Sequence, residues 1–406
     1  MRLTPDANIF AYDTMLQSAL RRIENNKEIP DANKKAIFDF KDACMVEGLS
    51  KGRIQKYMGH LYQIARWVEK EFLKMTREDM EKLVAKIEAM PYTDWTKHDC
   101  KVTIKKFFRT IRKSEDYPPE VKWIKIVIRN RRTKIPEELL TEDDIKRMID
   151  AADHPRDRAL VAMLYESGCR CGELLMLQIK HIQFDDYGAV ITVSGKTGMR
   201  RVRLISSAPL LTQWLEVHPR RNDAESPLWV SVGVNKAKAT KNVRYGTFNS
   251  LLRKLAKKSG ITKHVYPHLF RHSRATFLAN HLTEFQMNQY FGWVQGSDMP
   301  ATYVHMSGRE IDSALLELHG IKQEDKKTEP KLSIQKCPVC AYDNAPNSKF
   351  CGRCARPLSL NVVLEVEEKQ KAANRIIDRL ASDPEGLKAL AKVMSKLGLI
   401  DEVMSL

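Results

Sequence analysis

The sequence predicts a mainly α protein with a small antiparallel β-sheet, an α+β chain with two large domains and one small module. Three observations lead there. Apolar residues recur at helical spacing through most of residues 1–115 and again after 141. Two adjoining stretches, "AVITVSGK" and "MRRVRLI", are β-branched or alternate basic with apolar, which makes a hairpin. Four cysteines, Cys337, Cys340, Cys351 and Cys354, follow a C-x2-C-x10-C-x2-C pattern and mark a compact module.

The first domain, 1–115, is helical and basic. In "GLSKGRIQKYMGHLYQIARWVEKEF" Ser50 is placed to cap a helix, and Ile54, Met58, Leu61, Ala65 and Val68 form its apolar stripe. "MTREDMEKLVAKIEAM" opens with Thr76 and Asp79 at capping-box spacing. "TDWTKHDCKVTIKKFFRTIRK" is a cationic amphipathic helix. Residues 116–140, with three prolines and clustered arginines, are expected to be an extended interdomain linker.

The second domain, 141–321, opens at Thr141 and Asp144, again a capping box. "HIQFDD" can add a third strand to the hairpin, whose turn is expected at Thr197-Gly198. "LLTQWLEVH", "GTFNSLLRKLAKKSG", "RHSRATFLANHL" and "GREIDSALLELHG" read as helices. Residues 322–335 are a lysine-rich linker, 336–360 the cysteine module, and 361–406 a helical tail. In the tail, Asp383-Pro384 should start the last helix, which carries a stripe of Leu387, Leu390, Met394 and Leu397.

Composition narrows the function. The 406 residues are 43% hydrophobic and 29% charged, with a formal net charge of +17. That charge points to a polyanionic partner, nucleic acid above all. No apolar run is long enough for a bilayer, and "MRLTPDANIF" is not a signal peptide, so a cytoplasmic, nucleoid-associated protein without membrane contact is expected. "SGKTG" ends like a phosphate loop, but the first glycine of G-x-x-x-x-G-K-[ST] is replaced by Val190 and no helix follows. No nucleotide cofactor is therefore expected, and Lys196 belongs to the hairpin tip.

Several polar residues stand out in the second domain: Arg170 with Glu173 three residues on, His268 and Arg271 at a helix start, then Trp293 and Tyr303. Each alone has a structural explanation, such as a local ion pair or a core aromatic. Together, "GCRCGELLMLQIKHI", hairpin Lys196, "HLFRHSRATFLA", Trp293 and "ATYVHM" resemble the tyrosine recombinase/integrase family, phage-integrase and Xer-like. The resemblance spans the second domain, and the helical first domain is similar to the family's core-binding, DNA-clamping domain. Cysteines 169 and 171 flank Arg170 where the family usually carries aliphatic residues.

The resemblance implies a site-specific recombinase that cleaves and rejoins double-stranded DNA without ATP. Tyr303 would be the nucleophile, leaving a 3′-phosphotyrosyl link. Arg170 and Arg271 would hold the non-bridging oxygens with forked donors. Lys196 would protonate the leaving 5′-oxygen, His268 would exchange the proton near the tyrosine, and Trp293 would donate its indole N–H to the phosphate. Glu173 would hold Arg170, and no catalytic metal is implied. A homo-oligomer is implied as well, a dimer on one site and a tetramer in synapse, with "GREIDSALLELHG" docking into a neighbour. Two other functions remain open at this point: a type IB topoisomerase, and a non-catalytic zinc-containing DNA-binding regulator.

Cys44, Cys100, Cys169 and Cys171 lie in periodic segments and should be free thiols, mostly buried. The four clustered cysteines suit one structural Zn²⁺ in a zinc ribbon or knuckle, with a rubredoxin-type iron as the competitor. Pro338 and Gly352 are placed to make the knuckle turns.

Overall fold

The computed structural model describes residues 9–128, 136–195, 197–232, 242–306, 319 and 332–396. Among them the first domain contains α1 (Tyr12–Glu24), α2 (Asp31–Val46), α3 (Lys51–Trp67), α4 (Arg77–Ala89), α5 (Asp94–Ile111) and the short α6 (Pro119–Lys122). Its core is aromatic. Phe72 meets Phe107 at 5.0 Å and Phe108 at 6.1 Å between ring centroids, both edge-on, an arrangement that pairs ring edges with π faces. The Thr76–Asp79 capping box forms. Ser50 takes the N-cap position of α3 but its side chain makes no cap bond, and the helix stops at Trp67 with Val68 already extended.

The linker is shorter than expected. Pro119 opens α6, where its missing N–H costs nothing. Val121 and Ile124 then bury fully into the first domain's core. At the other end Ile9 and Phe10 pack into the second domain, and the Tyr245 N–H donates to the Ile9 carbonyl at 3.0 Å. The chain therefore crosses from the second domain's core into the first before α1.

The second domain is built around α8 (Pro155–Ser167), in which every residue from Ala159 to Ser167 is buried. Helix α7 (Glu142–Asp150), α10 (Ala208–Glu216) and α12 (Pro267–Ala279) pack on it. Helix α9 (Cys171–Leu175) follows α8 directly, and α11 is Tyr245–Lys258. Strands β1 (Ile182–Asp185), β2 (Gly188–Gly195) and β3 (Gly198–Leu204) form an antiparallel sheet in that order. Gly195 pairs with Gly198, so Gly198 belongs to β3 rather than to the turn where it was expected. The buried Glu166 carboxylate at the end of α8 accepts from the backbone N–H groups of Ile205, Ser206 and Ser207, which pins the exit of β3 to the core.

A smaller cluster joins α12 to α13 (Glu284–Phe291) and α14 (Met299–Met306), with Met287, Phe291 and Tyr303 at its centre. The cysteine module carries strands β4 (Gln335–Lys336) and β5 (Asp343–Asn344). It docks on the second domain: Leu332 and Ala345 join that core, and the Asn347 amide donates to Asp150 at 2.8 Å. The tail forms α15 (Leu360–Ser382) and α16 (Pro384–Lys396), and the Asp383 carboxylate caps the Gly386 N–H at 2.8 Å. "GREIDSALLELHG" and Leu397 lie outside the described residues, apart from His319. Among the described residues no helix is long and apolar enough to cross a membrane.

Candidate active site and metal centre

Arg170 stands at the N-cap of α9, directly after the turn that ends α8. Glu173 is the third residue of α9, so its carboxylate folds back on the helix start. It accepts the Arg170 backbone N–H at 2.9 Å and the Arg170 Nη1 at 2.8 Å. The three-residue spacing seen in the sequence is thus a cap and an ion pair at once. Burial alone would raise the Glu173 pKa, but hydrogen bonds from Arg200 and Arg170 outweigh it and hold the carboxyl below its usual range.

Arg271 projects from the first turns of α12 and is 2% exposed. Its Nη1 donates to the Gly168 carbonyl at 2.8 Å and its Nη2 to the Phe291 carbonyl at 2.7 Å. Its guanidinium also lies 5.1 Å from the Phe291 ring centre and 5.4 Å from that of Trp293. Burial and the neighbouring Arg170 charge lower its pKa to about 10, which leaves it charged at neutral pH. The Trp293 ring stacks on Tyr303, with centroids 5.3 Å apart and planes 5° from parallel.

The Tyr303 hydroxyl meets Nδ1 of His272 at 2.7 Å. The sequence pointed to His268 as the group near the tyrosine. His268 is one turn away, its ring 4.8 Å from His272 and nearly perpendicular to it. Spacing i,i+4 on α12 puts both imidazoles on one face, so the "RHS" in "HLFRHSRATFLA" carried a signal that the reading passed over. Burial, Arg271 and Arg170 lower the His268 pKa below its ordinary value, making it neutral at pH 7. Burial pushes the Tyr303 phenol up to about 12. Tyr290, the other tyrosine packed on this cluster, donates its hydroxyl to the Glu166 carbonyl.

Arg170, Glu173, His268, Arg271, Trp293 and Tyr303 therefore share one cluster, drawn from α9, α12, the segment after α13, and α14. Lys196 lies outside the described residues. Its neighbour Thr197 donates its hydroxyl to the Gly292 carbonyl at 2.9 Å, which seats the hairpin tip beside Trp293. Arg200 of β3, not singled out in the sequence, donates to Glu173 Oε2 at 2.7 Å and to the Tyr290 carbonyl at 2.9 Å. Two fixed guanidiniums beside a phenol and an imidazole have the chemistry that displacement at a phosphate diester requires.

The cysteines form a second centre. Cys337 and Cys354 Sγ are 3.6 Å apart, Cys340 and Cys351 Sγ 3.5 Å, and all four sulfurs lie within 4.8 Å of one another. A tetrahedron with Zn–S of about 2.3 Å has edges of about 3.8 Å, so the donor set fits one zinc ion. The two knuckles repeat one another: Val339 N–H donates to Cys337 Sγ and Arg353 N–H to Cys351 Sγ, each at 3.4 Å. Pro338 and Gly352 each begin the turn of their knuckle, as expected, and the left-handed residues that close the knuckles are Ala341 and Ala355, at φ 55° and 56°. The Asn344 side chain ties the knuckles together, donating to the Tyr342 carbonyl and accepting from the Gly352 N–H, each at 2.9 Å.

A model of the phage integrase family matches residues 138–310. The tyrosine recombinase XerA of Pyrococcus furiosus is 30% identical over 245 residues, 59% of this chain and 78% of that protein. The tyrosine recombinase XerC of Rickettsia peacockii is 24% identical over 230 residues, 54% of this chain and 72% of that protein. Among solved structures, the XerH site-specific recombinase bound to palindromic difH substrate, a post-cleavage complex, is similar with a TM-score of 0.54 at 17% identity, over 77% of this chain and 98% of that chain. A lambda integrase dimer bound to a COC′ core site is similar with a TM-score of 0.54 at 16% identity, over 68% of this chain and 78% of that one. The two structural likenesses concern the fold.

Proposed function

Because the chain belongs to the tyrosine recombinase family, and so is a site-specific recombinase that cleaves and rejoins DNA strands, we propose that Tyr303 is the nucleophile and that Arg170, Arg271, His268, Trp293 and Lys196 serve it. The supporting observation is the continuous stack and bond path from Arg271 through Trp293 to Tyr303 and His272. The phenolic oxygen attacks a backbone phosphorus in double-stranded DNA. The P–O5′ bond breaks, the 5′-oxygen takes a proton from Lys196, and the strand stays on the tyrosine through its 3′-phosphate. The phenolic proton goes to the imidazole pair, with His272 already at bonding distance and His268 behind it. Arg170 and Arg271 take the charge on the non-bridging oxygens, so the chemistry itself calls for no metal or nucleotide. The reverse reaction, with a 5′-hydroxyl as nucleophile, rejoins the strands.

The proposed assembly is a dimer on one site and a tetramer in synapsis, with residues 308–320 docking into the neighbouring protomer. Its support is the family membership, while the net charge of +17 supports the DNA partner. The proposed domains are a DNA-clamping helical domain, the catalytic domain at 141–321 and a zinc ribbon at 336–360. The non-catalytic regulator considered from the sequence is set aside by the family.

Trapping on a nicked duplex tests the nucleophile. The chain is incubated with genomic fragments and the captured site is rebuilt with a nick that lets the cleaved end diffuse away. Proteolysis should then yield a nucleotide adduct on the Tyr303 peptide. An adduct on Tyr290 or Tyr266 would overturn the assignment.

Zinc is proposed as a structural ion held by Cys337, Cys340, Cys351 and Cys354. Cys340→Ser should reduce bound zinc from one per chain to a small fraction, measured by atomic absorption. It should also unfold the module, since such sites supply about 10–16 kcal/mol of folding free energy. Single-turnover strand cleavage should fall less than about tenfold, because none of the proposed catalytic groups is a metal ligand. Abolished cleavage with an intact catalytic domain would show that zinc takes part in the reaction.

A further inference from the structure

Arg200 has no part in the mechanism above, yet it is among the most enclosed charges in the chain. Its side chain is 9% exposed. Nη2 donates to Glu173 Oε2 at 2.7 Å and Nε to the Tyr290 carbonyl at 2.9 Å. Nη1 is buried and has no hydrogen-bond partner among the described residues. Two glycines make the space: a Cβ at Gly195 would stand 2.3 Å from Glu173 Oε1, and one at Gly292 would stand 2.9 Å from Arg200 Nη1.

This arrangement solves a problem of charge. A carboxylate that fixes one guanidinium also cancels its field. Arg170 with Glu173 alone would form a neutral pair beside the phosphate, well placed but electrostatically spent. With Arg200 on the second carboxylate oxygen, two guanidiniums stand against one carboxylate and a net positive charge remains. Arg200 also stops the carboxylate from rotating, because each oxygen then has its own arginine. The Tyr290 carbonyl, at the end of α13, holds Arg200 from the other side.

We propose that Arg200 is a positioning residue for Arg170, holding Glu173 by its second oxygen so that Arg170 stays both oriented and electrostatically available to the scissile phosphate. The proposal rests on the reading of Arg170 as a phosphate-binding group.

Single-turnover trapping on three duplexes tests it. One is ordinary DNA. The second carries a neutral methylphosphonate at the scissile position, where a methyl replaces one charged oxygen and lowers the demand for Arg170. The third carries sulfur as the 5′ leaving atom, which lowers the demand for the general acid Lys196. On ordinary DNA, Arg200→Met should slow cleavage about 100-fold, the scale of a misplaced catalytic group. DNA affinity should change less than about threefold, since the backbone contacts that dominate it are made elsewhere. Arg200→Lys, which keeps the charge but gathers its donors on a single nitrogen, should recover about tenfold of the loss. On the methylphosphonate duplex the deficits of Arg200→Met and Arg170→Ala should both shrink.

If only the Arg170→Ala deficit shrinks, the proposal is overturned and the reading of Arg170 stands. If neither shrinks, that reading falls and takes the proposal with it. If Arg200→Met is instead restored by the sulfur leaving atom, as Lys196→Ala should be, Arg200 acts through the hairpin lysine and the proposal is overturned.

Discussion

Tyr303→Phe is expected to bind the target site within about threefold of the parent affinity and to form no covalent DNA complex at all. The ring is kept, and with it the parallel stack on Trp293 at 5.3 Å. What is lost is one oxygen and its 2.7 Å bond to His272. Losing that bond costs about 1 kcal/mol of stability, too little to unfold the domain. The chemical loss is total, because nothing in the cluster can replace a phenolic nucleophile. The other hydroxyl on the same apolar cluster, Tyr290, is tied to a carbonyl of α8 and burial pushes its pKa up to about 12. Gel shift and denaturing electrophoresis of the same samples separate binding from covalent capture. A covalent band from the Phe variant would end the assignment.

The same pair of residues explains why an acceptor imidazole is needed. Burial raises Tyr303 to about 12, so at neutral pH the phenol is almost wholly protonated. Attack must therefore shed a proton as the P–O bond forms. The imidazole that receives it has to be neutral beforehand. His268, the member of the imidazole pair behind His272, meets that condition, because burial and two flanking arginines disfavour its charged form.

How much of this could be read from the chain depends on the range of each interaction. Arg170 and Glu173 were legible because a residue at an N-cap and one three positions on must meet if a helix starts there. Strand pairing was legible because β2 and β3 adjoin. Arg200 was not, since its partners lie 27 and 90 residues away and its own stretch, "MRRVRLI", reads as a basic strand with no cue to which arginine turns inward. Alternation does place Val202 and Leu204 on the buried face. Arg200 shares that face, and a charge there is the cue that was available. The linker was misjudged for a related reason. Pro118-Pro119 forbids helix before it but starts one well, and only the burial of Val121 and Ile124 reveals which domain claims the segment. In the cysteine module, spacing marked the four residues that cluster and Pro338 and Gly352 fall in the knuckle turns, while the left-handed residues that close them are alanines that nothing in the local sequence marks out.

Arg271→Lys should be the most damaging conservative change in the protein, lowering single-turnover cleavage about 10²–10³-fold, as loss of a donor aimed at transition-state charge does elsewhere. The guanidinium uses two of its five N–H donors on the Gly168 and Phe291 carbonyls. Those bonds set its plane and leave three N–H donors for a phosphate. A lysine ammonium has three donors and no plane. If it satisfies both carbonyls it has one donor left for a phosphate, and if it turns to the phosphate it strands a buried carbonyl at about 1–3 kcal/mol. It also loses the flat face that meets the Phe291 and Trp293 rings. Binding of DNA should change little, since one phosphate contact among many contributes only a fraction of the salt-dependent affinity. The decisive comparison is Arg170→Lys. Arg170 is 32% exposed at its side chain and anchored by one carboxylate rather than two carbonyls, so a lysine there has room to adjust and should lose less. Equal losses at the two positions, or a loss under tenfold at Arg271, would mean that its carbonyl anchors do not set the fork that meets the phosphate.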